Sequence, residues 1–335
     1  MPYNLEMSYS NTLNLDKNFL NKKSVLIIGA GKIVNHYAFA LSKMGIKNVT
    51  IISKNQKSSI KICEQYGFKP LFGGYENTLS DLPKMDLVIV ATPIPILLSA
   101  AQYALENNQT NILIEKPGSL YYHEIISLSK KFPNANIKIA YNRLQYPNFH
   151  LLKKLTSNEG GITSCNFTIT EWVDKIDFTK FSSSLLERWG LTNSIHVISM
   201  VFELIGFPKI FTPYQFGTLD WHPSGSIFTG SGISDKDIPF SYHADWNSAG
   251  RWGIDIMTNE NSYRLIPLEE LHVCKKNSTQ WKKVPFQIKY PDIKQGFIEQ
   301  LSLMLQKDSF SNGDLVSLEK SVKFNKITEK IFGYT

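Results

Sequence analysis

The stretch SVLIIGAGKIVNHYAFALSKMG at 24–45 limits the fold of this chain more than any other. Residues 25–28 form a continuous apolar run, the pattern of a strand buried on both faces. Glycines follow at once, and then Ile33, Tyr37, Ala40, Leu41 and Met44 fall at helical spacing. Apolar runs recur at 48–52, 86–91, 111–115 and 136–141. Helical stretches lie between and after them, including 97–106 and 123–131. Strands alternating with helices over about 120 residues predict a parallel, doubly wound sheet.

After residue 150 the texture changes. Residues 162–172 alternate with period two, as an antiparallel strand with one wet face does. A helical segment at 182–204 follows. Strand-like pieces rich in aromatic and β-branched residues then lie at 210–216, 226–229, 240–245, 252–258 and 262–266, and 314–332 is helical again. The expected fold is therefore α/β. A doubly wound domain at 23–145 is followed by an α+β domain at 146–335 with a large open, mainly antiparallel sheet. The C-terminal helix is a candidate to pack back on the first domain. Residues 1–22, polar and asparagine-rich, read as an N-terminal extension.

Composition removes several classes. A length of 335 residues suits two domains. With 42% hydrophobic and 19% charged residues, the chain is not mainly disordered, collagen-like or coiled-coil. The longest apolar candidate for a membrane span, 87–98, is short and is broken by Thr92, Pro93 and Pro95. The N-terminus shows no apolar core of a signal peptide. Cys63, Cys165 and Cys274 are odd in number and scattered, with no disulfide framework or metal spacing. A reducing cytoplasm and no bound metal are the expectation.

The net charge is +7, but no basic run exceeds two residues and the lysines are mixed with acids. This reads as a solvated surface, with no nucleic-acid stripe, and leaves room for an anionic small ligand. Only four of the 36 cationic residues are arginines: Arg143, Arg188, Arg251 and Arg264. Where lysine is the default cation, an arginine is more often needed for its planar fork or its stacking. Two of them precede tryptophan, in Arg188-Trp189 and Arg251-Trp252. Such pairs suit one wall of a substrate pocket, the guanidinium for a carboxylate or phosphate and the indole for the apolar face of a sugar or base.

Gly29-Ala30-Gly31 lies between strand and helix, with Lys32 and Ile33 opening the helix. The first glycine permits a tight turn. The second lets backbone N–H groups approach a pyrophosphate on the positive helix N-terminus. The third small position of this fingerprint falls on Val34. A tight structural turn would select the same glycines, but the placement at the start of a βαβ unit points to a dinucleotide and a Rossmann domain. The second strand should end on the residue that reads the adenosine ribose. Here Ser53-Lys54-Asn55 contains no acid, which favours the 2′-phosphate of NADP over the hydroxyl of NAD. A plain surface turn would read similarly. Glu115-Lys116-Pro117 follows a buried strand, at the carboxyl edge where open α/β sheets bind ligands. There Lys116 can exchange a proton with a hydroxyl or carbonyl during hydride transfer, although alone it would pass for a surface lysine.

Taken in order, Gly29-Ala30-Gly31, Ala91-Thr92-Pro93, Glu115-Lys116-Pro117, Tyr141-Asn142-Arg143 and a helical Asn193-Ser194-Ile195-His196 resemble the Gfo/Idh/MocA family of sugar and cyclitol oxidoreductases. The resemblance runs over about residues 24–332. It implies a Rossmann domain followed by an α+β domain whose open sheet faces a partner subunit. It also implies that Lys116 and His196 lie by the nicotinamide and the reacting carbon. Polyol-oxidising members usually carry D-x-G-x-H-x-x-D around the histidine. This chain has Thr192, Ser194 and Ser199 at the two Asp positions and the Gly, so the usual proton relay is incomplete. Asn193 is adjacent but one residue off. A core histidine with a satisfied ring is the competing reading of His196.

The expected function is that of an NAD(P)-dependent oxidoreductase moving a hydride to or from a sugar or sugar derivative, nucleotide-linked or acidic, in surface-glycan precursor synthesis. Lys116 and His196 are the expected catalytic residues. Gly29, Ala30, Gly31, Lys32, Ile33, Ser53, Lys54, Asn55, Ala91, Thr92, Pro93, Glu115 and Lys116 are expected at the cofactor. Tyr141, Asn142, Arg143, Arg188, Trp189, Asn193, Arg251 and Trp252 are expected at the substrate. The alternatives are a reductase of C=N or C=C bonds, or a dinucleotide-binding sensor without turnover. A homodimer or homotetramer joined through the 210–266 sheet is expected, with neither nucleic acid nor membrane as partner.

Overall fold

The computed structural model describes residues 15–54, 56–306 and 315–334. Asn55 and residues 1–14 of the expected extension lie outside the described residues. The described chain divides into two units, one of 15–145 with 290–322, the other of 146–289 with 323–334.

The first unit starts with a short helix, α1 (Lys17–Leu20), and continues β1 (Ser24–Ile28), α2 (Lys32–Lys43), β2 (Asn48–Ser53), α3 (Gln56–Tyr66), β3 (Lys69–Phe72), α4 (Tyr75–Thr78), β4 (Leu87–Val90), α5 (Leu97–Glu106), β5 (Asn111–Glu115), α6 (Tyr122–Lys131) and β6 (Asn136–Ala140). The sheet runs β15-β6-β5-β4-β1-β2-β3 and is parallel except for β15 (Val316–Ser317), which pairs antiparallel with β6. This is a Rossmann domain. Val25–Ile28 of β1 and all of β4 are buried, as strands covered on both faces must be. Strand β3 escapes the sequence reading because it has no apolar run. It is an edge strand, where Pro70 is tolerated.

Residues 290–305, expected in the second domain, pack in this unit. Helix α10 (Phe297–Leu305) places Phe297, Ile298, Leu301, Met304 and Leu305 in the same core as β1 and the buried face of α2. Gly296 makes the approach possible. It has φ +84°, and a Cβ there would lie 2.1 Å from the Asn142 carbonyl oxygen. Asn142 Nδ2 in turn donates to the Gln295 carbonyl over 3.1 Å.

The second unit contains α7 (Pro147–Asn158), β7 (Ser164–Ile169), α8 (Ser183–Glu187), a π-helical turn (Gly190–Ser194), α9 (Ile195–Ile205), β8 (Pro208–Phe216), β9 (Ile227–Ser234), β10 (Pro239–Asp245), β11 (Trp252–Met257), β12 (Asn261–Leu265), β13 (His272–Lys275) and β14 (Lys282–Lys283). Its eight-stranded sheet has the order β14-β13-β12-β11-β7-β10-β9-β8 and is antiparallel except between β7 and β10. Helix α9 covers one face, where Phe202 meets Phe167 and Phe240 edge-on at 6.0 and 5.3 Å. On β8, Ile210, Tyr214 and Phe216 are exposed. Helix α11 (Leu318–Phe332) delivers Phe332 to the bare backbone of Gly190, where a Cβ would lie 2.2 Å from the ring. No helix among the described residues is long and apolar enough to cross a membrane.

Candidate functional site

The turn from β1 into α2 builds a cradle. Gly29 sits at φ +125°, and a Cβ there would lie 2.4 Å from the Ala91 carbonyl oxygen, so only glycine fits between the ends of β1 and β4. Gly31 is the N-cap of α2, supplies no side-chain cap, and leaves open space where its Cβ would be. The first-turn N–H groups of α2 and its positive end therefore face a clear approach. Beside them lies a cavity of about 290 Å³ lined by residues including Gly29, Ala30, Ser53, Lys54, Tyr75 and Thr92. Pro93 and Ile96 also line it. Thr92 Oγ1 is buried with no hydrogen-bond partner among the described residues, an acceptor and donor awaiting a ligand. Bare glycine backbone, a helix N-terminus and an orphaned hydroxyl around a largely apolar cavity fit a dinucleotide. Lys32 and Ile33 open α2, as expected.

The end of β2 differs from the expectation in detail. Ser53 Oγ donates to Ser59 Oγ over 2.8 Å, and Ser59 Oγ donates to the Gln56 carbonyl. The Ser53 proton is thus engaged within the protein, and the cations of the acid-free 53–57 segment are Lys54 and Lys57. The Lys54 stem runs past Gly74, whose Cβ would lie 3.4 Å from Cγ of the lysine.

Strand β5 ends on Glu115 and presents the half-buried Lys116 directly after it. The Tyr37 hydroxyl of α2 donates to Glu115 Oε1 over 2.6 Å. Burial pushes the Glu115 carboxyl up, opposed by this bond and by the charges of Lys116 and Lys294. Ser321 brings two of the motifs together. Its hydroxyl donates to the Pro117 carbonyl at 3.3 Å and lies 3.4 Å from the Tyr141 hydroxyl. Burial pushes the Tyr141 phenol up as well. Tyr141 and Asn142 are buried, while Arg143 is half-exposed.

In the second unit, the half-buried His196 stands in the first turn of α9, its ring 6.1 Å from that of Trp252. Thr192 Oγ1 turns away to the Leu185 carbonyl. An acid from outside the helix reaches the turn that precedes it. Glu171, 3% exposed, lies just past the end of β7. Its Oε1 accepts from Ser194 Oγ at 2.6 Å and Trp252 Nε1 at 3.3 Å, and its Oε2 from Asn193 Nδ2 at 3.0 Å and Arg251 Nη1 at 3.1 Å. Arg251 stacks over Trp252 at 4.0 Å and Trp172 at 4.6 Å. Arg188, expected with it at the substrate, is buried, pairs with Glu329 and lies over the Tyr334 ring at 5.0 Å. Trp189 packs edge-on against Phe181 and Trp221. Arg264 pairs with Asp255 at 2.6 Å and stacks over Trp281 at 4.1 Å. All three arginines of this unit thus use both an acid and an aromatic face.

Glu171, Tyr37 and Ser321 escaped the sequence reading. Their partners lie 22–81, 78 and 180–204 residues away, beyond any local spacing. The one available signal was at Glu171, an acid next to Trp172 where the alternation of β7 stops.

Residues 23–142 match the model of an "Oxidoreductase family, NAD-binding Rossmann fold". Among solved structures, an oxidoreductase from Agrobacterium radiobacter in complex with NAD+, L-tartaric acid and magnesium is similar. It is 15% identical, with a TM-score of 0.73 over 92% of this chain and 94% of that one. A levoglucosan dehydrogenase in complex with NADH is 17% identical, with a TM-score of 0.72 over 92% and 95% of the two chains. At these identities the likeness is one of fold. A shikimate dehydrogenase (NADP(+)) from Methanothermobacter thermautotrophicus is 32% identical over 75 residues, which are 21% of this chain and only 26% of that relative.

Proposed function

We propose that this chain, whose N-terminal domain belongs to the Gfo/Idh/MocA oxidoreductase family, is an NAD(P)-dependent oxidoreductase acting on a sugar or sugar derivative. The observation that carries this reading is the cradle of Gly29 and Gly31 beside a cavity holding the orphaned Thr92 hydroxyl. The bound nicotinamide supplies or accepts the hydride. The chain's own residues bind and orient it: the first turn of α2 takes the pyrophosphate, and the Ser53–Lys54 turn takes the ribose end. Lys116, carried rigidly at the end of β5, exchanges the proton at the substrate's hydroxyl or carbonyl. His196 is the second proton or orienting group. Tyr141, Asn142 and Arg143 are the first domain's candidates for substrate contact.

The finer reading is an acidic or nucleotide-linked sugar of surface-glycan synthesis, handled in the cytoplasm. Support comes from Arg251, whose guanidinium has one N–H on Glu171 and lies against two indoles, in a side chain that is 32% exposed. We further propose NADP as the preferred cofactor and self-association of the second domain through its open sheet.

The test is titration of NADPH and NADH into the wild type and Gly29→Ala, followed by assay of nicotinamide oxidation or reduction with a panel of sugars and sugar acids. The wild type should bind and turn over, and Gly29→Ala should lose binding at least about tenfold because its Cβ meets the Ala91 carbonyl. Binding without consumption of any nicotinamide would favour a sensor over an enzyme.

A further inference from the structure

A carboxylate buried like that of Glu171 costs several kcal/mol unless charge and hydrogen bonds compensate it. Here the compensation comes from four donors. Each oxygen accepts two donors, from Ser194 and Trp252 on one side and from Asn193 and Arg251 on the other. Burial pushes the carboxyl pKa up, and the Ser194, Arg251 and Asn193 hydrogen bonds and the guanidinium charge act against that. A carboxylate whose acceptor positions are all taken is poorly placed to abstract a proton. Its capacity is to hold other groups still.

Those groups are the ones around His196. Asn193 and Ser194 close the π-helical turn, and α9 begins at the next residue. π turns are rare and frequent at functional sites. Glu171 binds two consecutive side chains of this one. His196 follows two residues later. On its other side stands Trp252, whose indole N–H is fixed on the same carboxylate. Arg251, next to Trp252, is clamped by one N–H to Glu171 and by two indole faces. Trp172 is itself pinned, since its indole N–H donates to the Gly250 carbonyl over 2.8 Å. One buried acid thereby joins the turn before α9, the ring beside His196 and the guanidinium of Arg251.

We infer that Glu171 is the positioning residue of the second domain, fixing His196 and Arg251 in one arrangement from outside the helix that carries the histidine. This rests on the reading of His196 and Arg251 as site residues. It explains how Thr192 and Ser199 can stand where acids would otherwise orient the histidine.

The experiment uses the full chain with NADPH bound, labelled with ¹³C-histidine and ¹⁵N-tryptophan, as wild type, Glu171→Gln and Glu171→Ala. Glu171→Gln keeps the volume and one acceptor oxygen, so it carries the test if Glu171→Ala does not fold. The His196 ring resonance, assigned through His196→Gln, and the Trp252 indole resonance should shift or broaden in both variants, while those of His36 and Trp281 stay in place. NADPH affinity should remain within about twofold, and kcat/KM on any sugar the wild type turns over should fall about tenfold or more, mainly through kcat. A His196 resonance that does not move, in a variant that is merely less heat-stable, would reduce Glu171 to a packing group and overturn the inference. Moving resonances in a protein that turns over no substrate would leave the positioning role standing and remove the oxidoreductase reading instead.

Discussion

The Tyr37 hydroxyl donates to Glu115 Oε1 over 2.6 Å, which ties the helix behind the glycine turn to the strand that ends in Lys116. Burial pushes both groups toward their neutral forms, so each depends on the bond between them. Tyr37→Phe keeps the ring against Phe297, now 4.8 Å away, and deletes only the donor. It should cost about 1–3 kcal/mol, the penalty for leaving a desolvated carboxylate short of a partner. Urea unfolding reads this directly, and an unchanged midpoint would mean that Lys116 and Lys294 satisfy Glu115 without Tyr37.

In the proposed reading the 2′-phosphate is met by Lys54, since the Ser53 hydroxyl donates to Ser59. NADPH should bind the wild type at least several-fold more tightly than NADH at moderate salt. Lys54→Glu should reverse the order, since one charge-assisted phosphate contact is worth about 1.5–3 kcal/mol, or roughly ten- to a hundred-fold. Calorimetric titration showing tighter NADH binding by the unmodified protein would end the NADP assignment and leave the Rossmann domain untouched.

Lys116 should matter more to turnover than His196. It sits at a strand end whose backbone sets its direction, whereas the acids that would polarise His196 from its own helix are Thr192 and Ser199. A positioned acid or base contributes about 10²–10⁴-fold in rate. Lys116→Ala should therefore lower kcat/KM by about a hundred-fold or more, His196→Ala by less, with NADPH binding nearly unchanged in both. The reverse ranking would show that Glu171, acting through Asn193 and Ser194, makes His196 a full member of the proton relay.

The open face of the second sheet supports self-association. Ile210, Tyr214 and Phe216 are 56%, 53% and 54% exposed along a single strand, an apolar row that a lone molecule rarely leaves wet. Light scattering should report a dimer or tetramer at micromolar concentration, and Ile210→Lys with Tyr214→Lys should shift it toward monomer. A wild-type monomer would contradict this.

The sequence made the Rossmann half legible because its signals are local. Val25–Ile28 and Leu87–Val90 are uninterrupted apolar runs, and Gly29 meets a constraint, a carbonyl 2.4 Å from any Cβ, that only glycine satisfies. What stayed hidden depends on contacts across the chain. Helix α10 has an ordinary amphipathic pattern, and nothing in it says that Phe297 will meet Tyr37. Glu171 continues the inward register of Cys165, Phe167 and Ile169, an acid where the alternation calls for an apolar residue, and what satisfies it is seen only once Asn193, Ser194 and Arg251 are brought to it. The arginines lie between these cases. Their scarcity among lysines marked them as specialised, and Arg188, Arg251 and Arg264 each pair with an acid and cover a ring. Which of them is the more accessible was not readable, because adjacency to tryptophan is shared by Arg188 and Arg251, while their side chains are 11% and 32% exposed.

His222 should set the acid limit of the second domain. Its ring is fully buried, with Nδ1 2.8 Å from the Gly225 carbonyl and Nε2 2.8 Å from the Tyr334 hydroxyl, 4.5 Å from Trp246 and edge-on to Phe228. Burial among these rings disfavours the imidazolium and pulls the pKa from 6.5 down to about 4, although the backbone contact at Gly225 opposes this. Between those two values the unfolded chain binds a proton that the folded one refuses, so stability falls as pH falls. The loss should begin near pH 6.5, be complete below about pH 4, and reach about 3 kcal/mol in total. Other carboxylates and histidines titrate in the same range, but their contribution cancels in a comparison with His222→Gln, which can still donate to Gly225 and has no proton to gain. The variant should be the less stable protein at pH 7, and its deficit should shrink by about 3 kcal/mol as the pH is lowered to 4. Urea unfolding of both proteins across that range gives the difference at each pH. A deficit that stays constant would mean that His222 titrates alike in the folded and unfolded chains and that its burial carries no acid penalty.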